Sequence, residues 1–267
     1  MPAPEAILAI AAESLRVDFD TALRIESRKF AGVSVTPEAN NMITTLFLEM
    51  NKLNAGGSRP KDVEKSKVKK LGILGAGMMG QGIAYASAMA GMDVILKDVS
   101  QEAAEKGKAY SDMLLSKRVA RGKMTEDKKA AVLSLIKPTA ENEDLTGCDL
   151  IIEAVFEDVG LKHKVTAETE TYLAENGVFG SNTSTLPITE LAKGSAKPEN
   201  FIGIHFFSPV DKMPLVEIIV GEKTSDEALA KAFDYSQQIR KTPIVVNDSR
   251  GFFTSRVFGT FCDEGAA

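Results

Sequence analysis

The chain has two histidines, and they sit in contrasting settings. His205 lies in "FIGIHFFSPV", where an apolar run ends and a Pro-containing loop begins. Further on, "PLVEIIVG" sets Glu217 inside a second apolar run, a costly place for a carboxylate without a partner. Paired to His205, Glu217 would fix the ring tautomer and stabilise the imidazolium that forms when the ring takes a proton. Such a pair suits removal of an alcohol proton while hydride leaves the adjacent carbon. On apolar periodicity alone, a satisfied core His205 beside a solvent-facing Glu217 explains the pattern equally well. His163, between lysines in "VGLKHKV", reads as a solvated helix position.

A hydride acceptor tips that balance. In "KKLGILGAGMMGQGIAYASAMAGMDVILKD", Lys69 to Asp98, the apolar run Leu71 to Leu74 meets Gly75-Ala76-Gly77-Met78-Met79-Gly80. An Ala- and Met-rich helix former follows, and the next apolar run, Val94 to Leu96, leads to Asp98. Gly75 would make a tight turn, Gly77 would let a pyrophosphate approach the backbone, and Gly80 would pack helix on strand. The amides and dipole at that helix N-terminus favour phosphates. Asp98 would accept from the ribose hydroxyls and repel a 2′-phosphate, which selects NAD over NADP. Gly82 reads as a packing glycine. In "GVFGSNTSTLPI" the polar residues Ser181 to Thr185 follow an apolar run and meet Pro187, where a helix can start. A loop cap accounts for Thr185, while Ser184 could donate to a substrate oxygen.

These residues need a scaffold, and the chain writes one. Apolar residues make up 44% of its 267, enough for a core. A formal charge of -5 argues against a nucleic-acid surface, which draws on clustered cations. No apolar run is long enough for a membrane span, and no basic segment precedes the first apolar stretch as in a signal peptide. Two isolated cysteines make neither a disulfide framework nor a metal site, and imply a reducing compartment.

Residues 4 to 30 look helical and broken, and "TPEANNMITTLFLEMNKLN" follows with a Thr36 cap and Pro37 in the first turn. Its apolar stripe is Met42, Ile43, Leu46, Phe47, Met50 and Leu53. The Gly-, Ser- and Lys-rich "NAGGSRPKDVEKSKVKK" reads as a linker and places a boundary near residue 66. Beyond it, strands are expected near 70–75, 93–98, 149–154, 178–181, 201–206, 214–219 and 243–247. Helices are expected near 78–91, 101–134, 159–176, 187–193 and 225–239, the second of these being two helices. The alternation is that of an α/β, doubly wound Rossmann-type domain over 67–248, preceded by a helical connecting segment over 1–66.

Six motifs in order, "GAGMMG", "VILKD", "IIEAVFED", "SNTS", "HFFSPVDKMPLVEI" and "GFFTSRV", make the chain resemble the L-3-hydroxyacyl-CoA dehydrogenases from about Lys69 to Val257. The segment "NNMITTLFLEMNKLN" is similar to the tail of the enoyl-CoA hydratase half in multifunctional fatty-acid oxidation α-subunits. The resemblance implies NAD-dependent oxidation of L-3-hydroxyacyl-CoA, with His205 as base, Glu217 as its orienting acid and Ser184 touching both substrate oxygen and nicotinamide. It implies a cofactor site of Gly75, Gly77, Met78, Met79, Gly80, Asp98, Val155, Phe156, Glu157, Lys162, Ser184 and Ser208. Met79 and Asp98 would lie on the adenosine side, and Glu157 and Lys162 near the nicotinamide ribose and carboxamide. From the residues alone, the last two read as surface helix positions.

Ser184 and Ser255 would serve the substrate. Ser208 and Ser255 stand where many relatives have Asn, and a Ser hydroxyl reaches less far. Lys117, Arg118, Arg121 and Lys123 could meet CoA phosphates, or form a solvated basic face. The family likeness further implies that 249–267 opens a helical domain, through which the parent self-associates unless it pairs with a thiolase subunit. The compartment would be the cytoplasm in a bacterium, or mitochondria or peroxisomes in a eukaryote. Two other readings stand beside this one: an NAD-binding module with its acyl site unbuilt, and a β-hydroxyacid-type enzyme with a helical lysine base. The "HFFSPV" and "PLVEII" pair disfavours the latter.

Overall fold

Short runs of Val, Ile and Leu bounded by Gly and Pro become strands, and the Ala-, Lys- and Glu-rich stretches between them become helices, in the computed structural model, which describes residues 2–266. The strands are β1 (Lys70–Leu74), β2 (Asp93–Lys97), β3 (Ile136–Thr139), β4 (Cys148–Glu153), β5 (Leu173–Ser181), β6 (Phe201–Phe206), β7 (Leu215–Val220) and β8 (Thr242–Asn247). They form one sheet in the order β3-β2-β1-β4-β5-β6-β7-β8. Every neighbouring pair is parallel except β6 and β7. The chain winds outward through β3, then returns to lay β4 against the other side of β1. That reversal is where doubly wound sheets open a ligand crevice beyond the strand C-termini.

Alternate strand residues feed two apolar layers. Leu71, Ile73, Val94, Leu150 and Ile152 face one, with helices α5 (Met78–Met89) and α10 (Asp226–Gln238). Ile95, Ile151, Phe179 and Phe201 face the other, where Ile188 and Leu191 of α9 (Ile188–Leu191) close over them. A sheet covered on both faces explains why its central strands read as continuous apolar runs.

The 101–134 stretch is the two helices expected, α6 (Gln101–Ala120) and α7 (Glu126–Ser134), broken at Gly122, whose φ of 66° suits glycine. Two other expectations shift. β3 went unforeseen because Pro138 removes a ladder donor, which an edge strand tolerates. The helix expected to 176 stops at Thr169 as α8 (Val159–Thr169), and β5 begins at Leu173.

The chain divides into two compact units between Gly57 and Ser58, earlier than the expected boundary near 66. Residues 58–66 belong to the second unit because the Arg59 guanidinium is built into it. Its Nε donates to Asp234 Oδ1 at 2.7 Å and its Nη2 to Oδ2 at 2.9 Å, while the Ser66 amide also donates to Oδ2. In the first unit, α1 (Pro2–Ser14) and α2 (Phe19–Ser34) pack together. Thr36 caps α3 (Pro37–Ile43), which runs through a π-helical stretch, Thr44–Glu49, into α4 (Met50–Asn54). Of the expected stripe, Leu46 and Phe47 are each 62% exposed. No helix among the described residues is long and apolar enough to cross a membrane.

Candidate active site

β1, β2, β4, β5 and β6 run parallel, so their C-terminal ends share one edge of the sheet. That edge collects Gly75, Asp98, Val155, Ser181 and His205.

At the β1 end, Gly75 has φ +93°, and a Cβ there would lie 2.7 Å from the Ala154 carbonyl oxygen. At Gly80 a Cβ would lie 1.8 Å from the Gly75 carbonyl oxygen, so α5 can pass this close to β1 only with glycine. Gly77 is different, since a Cβ there meets nothing within 4 Å. The space it leaves is open to a ligand. Gly77 also provides no side-chain cap for α5, whereas Ser100, Thr125, Asp158 and Ser225 cap α6, α7, α8 and α10. The first amides of α5 are therefore left for an anion. Gly82 packs against Val210, as a packing glycine should.

Asp98 directly follows β2 beside this turn. Its Oδ2 accepts from the Ala76 amide at 2.6 Å and its Oδ1 from Val99 at 2.7 Å, so the carboxylate is fixed against the glycine loop. It lines a cavity of about 80 Å³ with Gly75, Val99, Val155, Val165 and Thr169. Open amides, a fixed acid and a partly apolar crevice fit the phosphates, ribose and base of a dinucleotide. Met78 and Phe156 are exposed at this edge, 67% and 86%, while Met79 is half-buried and packs on the core.

His205 and Glu217 are directly opposite one another on the antiparallel strands β6 and β7. His205 Nδ1 lies 2.7 Å from Glu217 Oε2, and the two residues are 5% and 0% exposed. Phe207 and Phe252 flank the imidazole, with ring centroids 4.5 and 6.0 Å away. Burial pushes the Glu217 carboxyl up, but bonds from His205 and from the amide and hydroxyl of Thr254 outweigh it, leaving the carboxyl below its ordinary range.

Glu157 organises the polar loop after β5. Its Oε1 accepts from Thr183 Oγ1 at 2.6 Å, from the Ser184 amide at 2.8 Å and from the Thr185 amide at 3.1 Å. Its Oε2 lies 3.3 Å from Lys162 Nζ. Burial raises the Glu157 pKa, but the Thr183 bond and the Lys162 charge outweigh it and the net shift is downward. Lys162, read from the residues alone as a surface position, is buried. Its Nζ donates to Glu153 Oε1 at 2.9 Å and Oε2 at 2.8 Å, and Ser181 Oγ donates to the same carboxylate. The signal was Glu153 itself, an acid inside an apolar strand that needs a cation. His163 is likewise docked rather than solvated: its Nε2 bonds the Glu190 carbonyl at 3.0 Å and its ring packs on Gly194.

Ser184 is exposed at the tip of the loop, and Ser208 is exposed before Pro209. Ser255 lies in the first turn of α11 (Thr254–Ala266), directly after Thr254, whose hydroxyl reaches Glu217. Sequence reasoning passed over Thr254. Away from the glycine turn, Lys117, Arg118, Arg121, Lys123 and Lys212 surround a cavity of about 350 Å³ with Asp211. Tyr110 donates to Asp211 at 2.9 Å, which ties the α6 arm to the loop after His205. Burial beside that carboxylate pushes the Tyr110 phenol up to about 12.

Residues 70–249 match the family pattern described as "3-hydroxyacyl-CoA dehydrogenase, NAD binding domain". The chain is 42% identical over 264 residues to the fatty acid oxidation complex subunit alpha of Pseudomonas syringae, covering 97% of this chain and 36% of that relative. Among solved structures, the (S)-3-hydroxybutyryl-CoA dehydrogenase of Ralstonia eutropha is 39% identical with a TM-score of 0.70, over 75% of this chain and 74% of that one. The dehydrogenase part of a multifunctional enzyme from C. elegans is 30% identical with a TM-score of 0.65, over 80% of this chain and 50% of that one.

Proposed function

The chain belongs to the 3-hydroxyacyl-CoA dehydrogenase family and carries its NAD-binding domain, and on that premise we propose that it serves the NAD-dependent oxidation of an L-3-hydroxyacyl-CoA to the 3-ketoacyl-CoA in fatty-acid β-oxidation. One observation carries the proposal. The buried 2.7 Å contact of His205 with Glu217 lies on the same sheet edge as the glycine turn. With Nδ1–H held by the carboxylate, the other ring nitrogen of His205 is the acceptor for the substrate hydroxyl proton. Glu217 then stabilises the imidazolium. NAD, when bound, takes the hydride from the carbinol carbon.

Gly75, Gly77, Met78 and Gly80 hold the pyrophosphate, with Met79 and Asp98 on the adenosine side. Val155 lines the cavity beside Asp98, Phe156 and Ser208 lie along the cofactor, and Glu157 and Lys162 flank the nicotinamide side. Ser184, presented by a loop that Glu157 gathers, donates to the substrate oxygen, and Ser255 reaches toward the acyl part. The cations at Lys117, Arg118, Arg121 and Lys123 take the CoA phosphates. A thiolase subunit or a second copy is the protein partner we infer, supported by the exposed Val257, Phe258 and Phe261 on α11 and tested by sedimentation. The bacterial relative supports a bacterial cytoplasm as the compartment.

The test follows NADH absorbance with acetoacetyl-CoA as the reverse substrate. Weak turnover by the chain, lost in His205→Gln while NADH binding persists, is expected. Equal rates in the two proteins would refute the proposal.

A further inference from the structure

We propose that Thr254 is a positioning residue of the His205–Glu217 pair: its hydroxyl and amide lock the Glu217 carboxylate in the orientation that grips the imidazole. The functional consequence rests on the dehydrogenase reading above, but the lock itself does not.

Strand register places Glu217 opposite His205 yet leaves the carboxylate free to rotate about its own side-chain bonds. What fixes it comes from beyond the sheet. Thr254 Oγ1 donates to Oε2 at 2.8 Å, the same oxygen that lies 2.7 Å from His205 Nδ1. The Thr254 amide donates to Oε1 at 2.8 Å and the Phe253 amide to that oxygen at 3.3 Å. Both oxygens are thus engaged, and turning the carboxylate away from His205 would break the Thr254 contacts as well. On the other side, the β8 register partner of Glu217 is Ile244, which offers no polar side chain. His205 is the one titratable side chain bonded to Glu217 among the described residues.

The turn that delivers these donors is itself held in an unusual form. Phe252 has φ +48°, a left-handed conformation that bulky residues rarely adopt, and is 2% exposed with its ring beside the imidazole. Burial of that ring holds the strained backbone, and the two amides that follow it meet Glu217. Thr254 also opens α11, so the carboxylate sits where a helix N-terminus favours negative charge. The base pair and the first turn of α11 are in this way one mechanical unit.

The test compares Thr254→Val, which keeps the shape and removes the hydroxyl, with Thr254→Ser, which restores it. One arm needs no turnover: urea unfolding of the 267-residue chain across pH. A carboxyl whose folded pKa is depressed adds stability above its unfolded value of 4.5, and that stability is lost as pH falls through the lower folded value. Thr254→Val should therefore unfold at lower urea than wild type above that pH, with the gap closing as pH falls, and Thr254→Ser should follow wild type. A gap that is the same at every pH would mean Thr254 is only packing, and would overturn the lock. The second arm measures turnover with NADH and acetoacetyl-CoA. Thr254→Val should lower kcat roughly tenfold, as loss of one charge-assisted bond implies, with the KM for NADH unchanged and Thr254→Ser active. An unchanged kcat in Thr254→Val would also overturn it. A wild-type chain without turnover counts against the dehydrogenase reading, and the unfolding arm still decides on Thr254.

Discussion

Glu217 lies directly across the β6–β7 ladder from His205, so the one antiparallel pairing in the sheet is also what builds the acid–base pair. A parallel neighbour arrives through a crossover from the far end of the sheet, whereas the antiparallel return needs only the loop from Phe207 to Pro214. The pair is therefore close in sequence and buried in the same layer.

For that pair, Glu217→Gln should be more damaging than loss of charge alone suggests. An amide has one acceptor oxygen and an NH₂ group, and the site presents donors from His205, Phe253 and Thr254. One of those faces would set donor against donor, at about 1–3 kcal/mol for an unsatisfied buried group. The expected outcome is a lower melting temperature together with a large loss of kcat. A variant with wild-type stability and turnover would show that the carboxylate neither anchors the turn nor serves the base.

Asp98 gives a separable prediction about cofactor choice. With Asp98 as the proposed acceptor for the ribose hydroxyls, its charge should make calorimetric affinity for NAD exceed that for NADP. Asp98→Ala should weaken NAD binding and narrow the gap. It also removes the acceptor for the Ala76 amide, so the glycine turn should loosen and amide exchange at Ala76 should quicken. Equal affinities of the native chain for both cofactors would sink the role given to Asp98.

The strands and the glycine turn were legible because each rests on local signals: an apolar run, a glycine at a forced backbone angle, an acid at a strand end. β3 was not, since its four residues include Pro138 and pair only along an edge. Lys162 shares its helix with His163 and Lys164, and nothing local separates the buried cation from the exposed one. Its burial is decided by Glu153 and Ser181 on two other elements. Thr254 was hidden for a related reason. Family likeness pointed to the adjacent Ser255, while the contact with Glu217 depends on the left-handed Phe252, which no propensity announces. The 58–66 stretch has a linker's composition, but one arginine with a buried acid to meet makes it part of the domain.

The glycines should divide into two kinds by substitution. Gly80→Ala sets a methyl 1.8 Å from the Gly75 carbonyl, backbone that cannot yield, and should destabilise the fold by at least about 3 kcal/mol or displace α5. Gly77→Ala meets no protein atom within 4 Å, so the fold should stay intact while NAD binding falls. Chemical denaturation alongside cofactor titration distinguishes them. Loss of stability in Gly77→Ala, or tolerance of Gly80→Ala, would reverse the assignment.

The Glu153–Lys162 pair yields the last prediction. Both side chains are almost wholly buried, at 1% and 2% exposure, so neither charge can fall back on water. Removing one partner leaves the other ionised in an apolar layer, which costs about 3–5 kcal/mol. Lys162→Met should therefore lower the denaturation midpoint strongly, while Glu153→Gln with Lys162→Met in one chain should recover part of the loss. Stability alone would make the pair an ordinary core ion bridge. Lys162 also lies 3.3 Å from Glu157, the carboxylate that gathers Thr183, Ser184 and Thr185. If Lys162 steadies that loop, the stability-restored double variant should still bind NAD more weakly than wild type, because Glu157 has lost its cation. The same variant with undiminished NAD affinity would show that the bridge holds the fold and leaves the Ser184 loop to Glu157 alone.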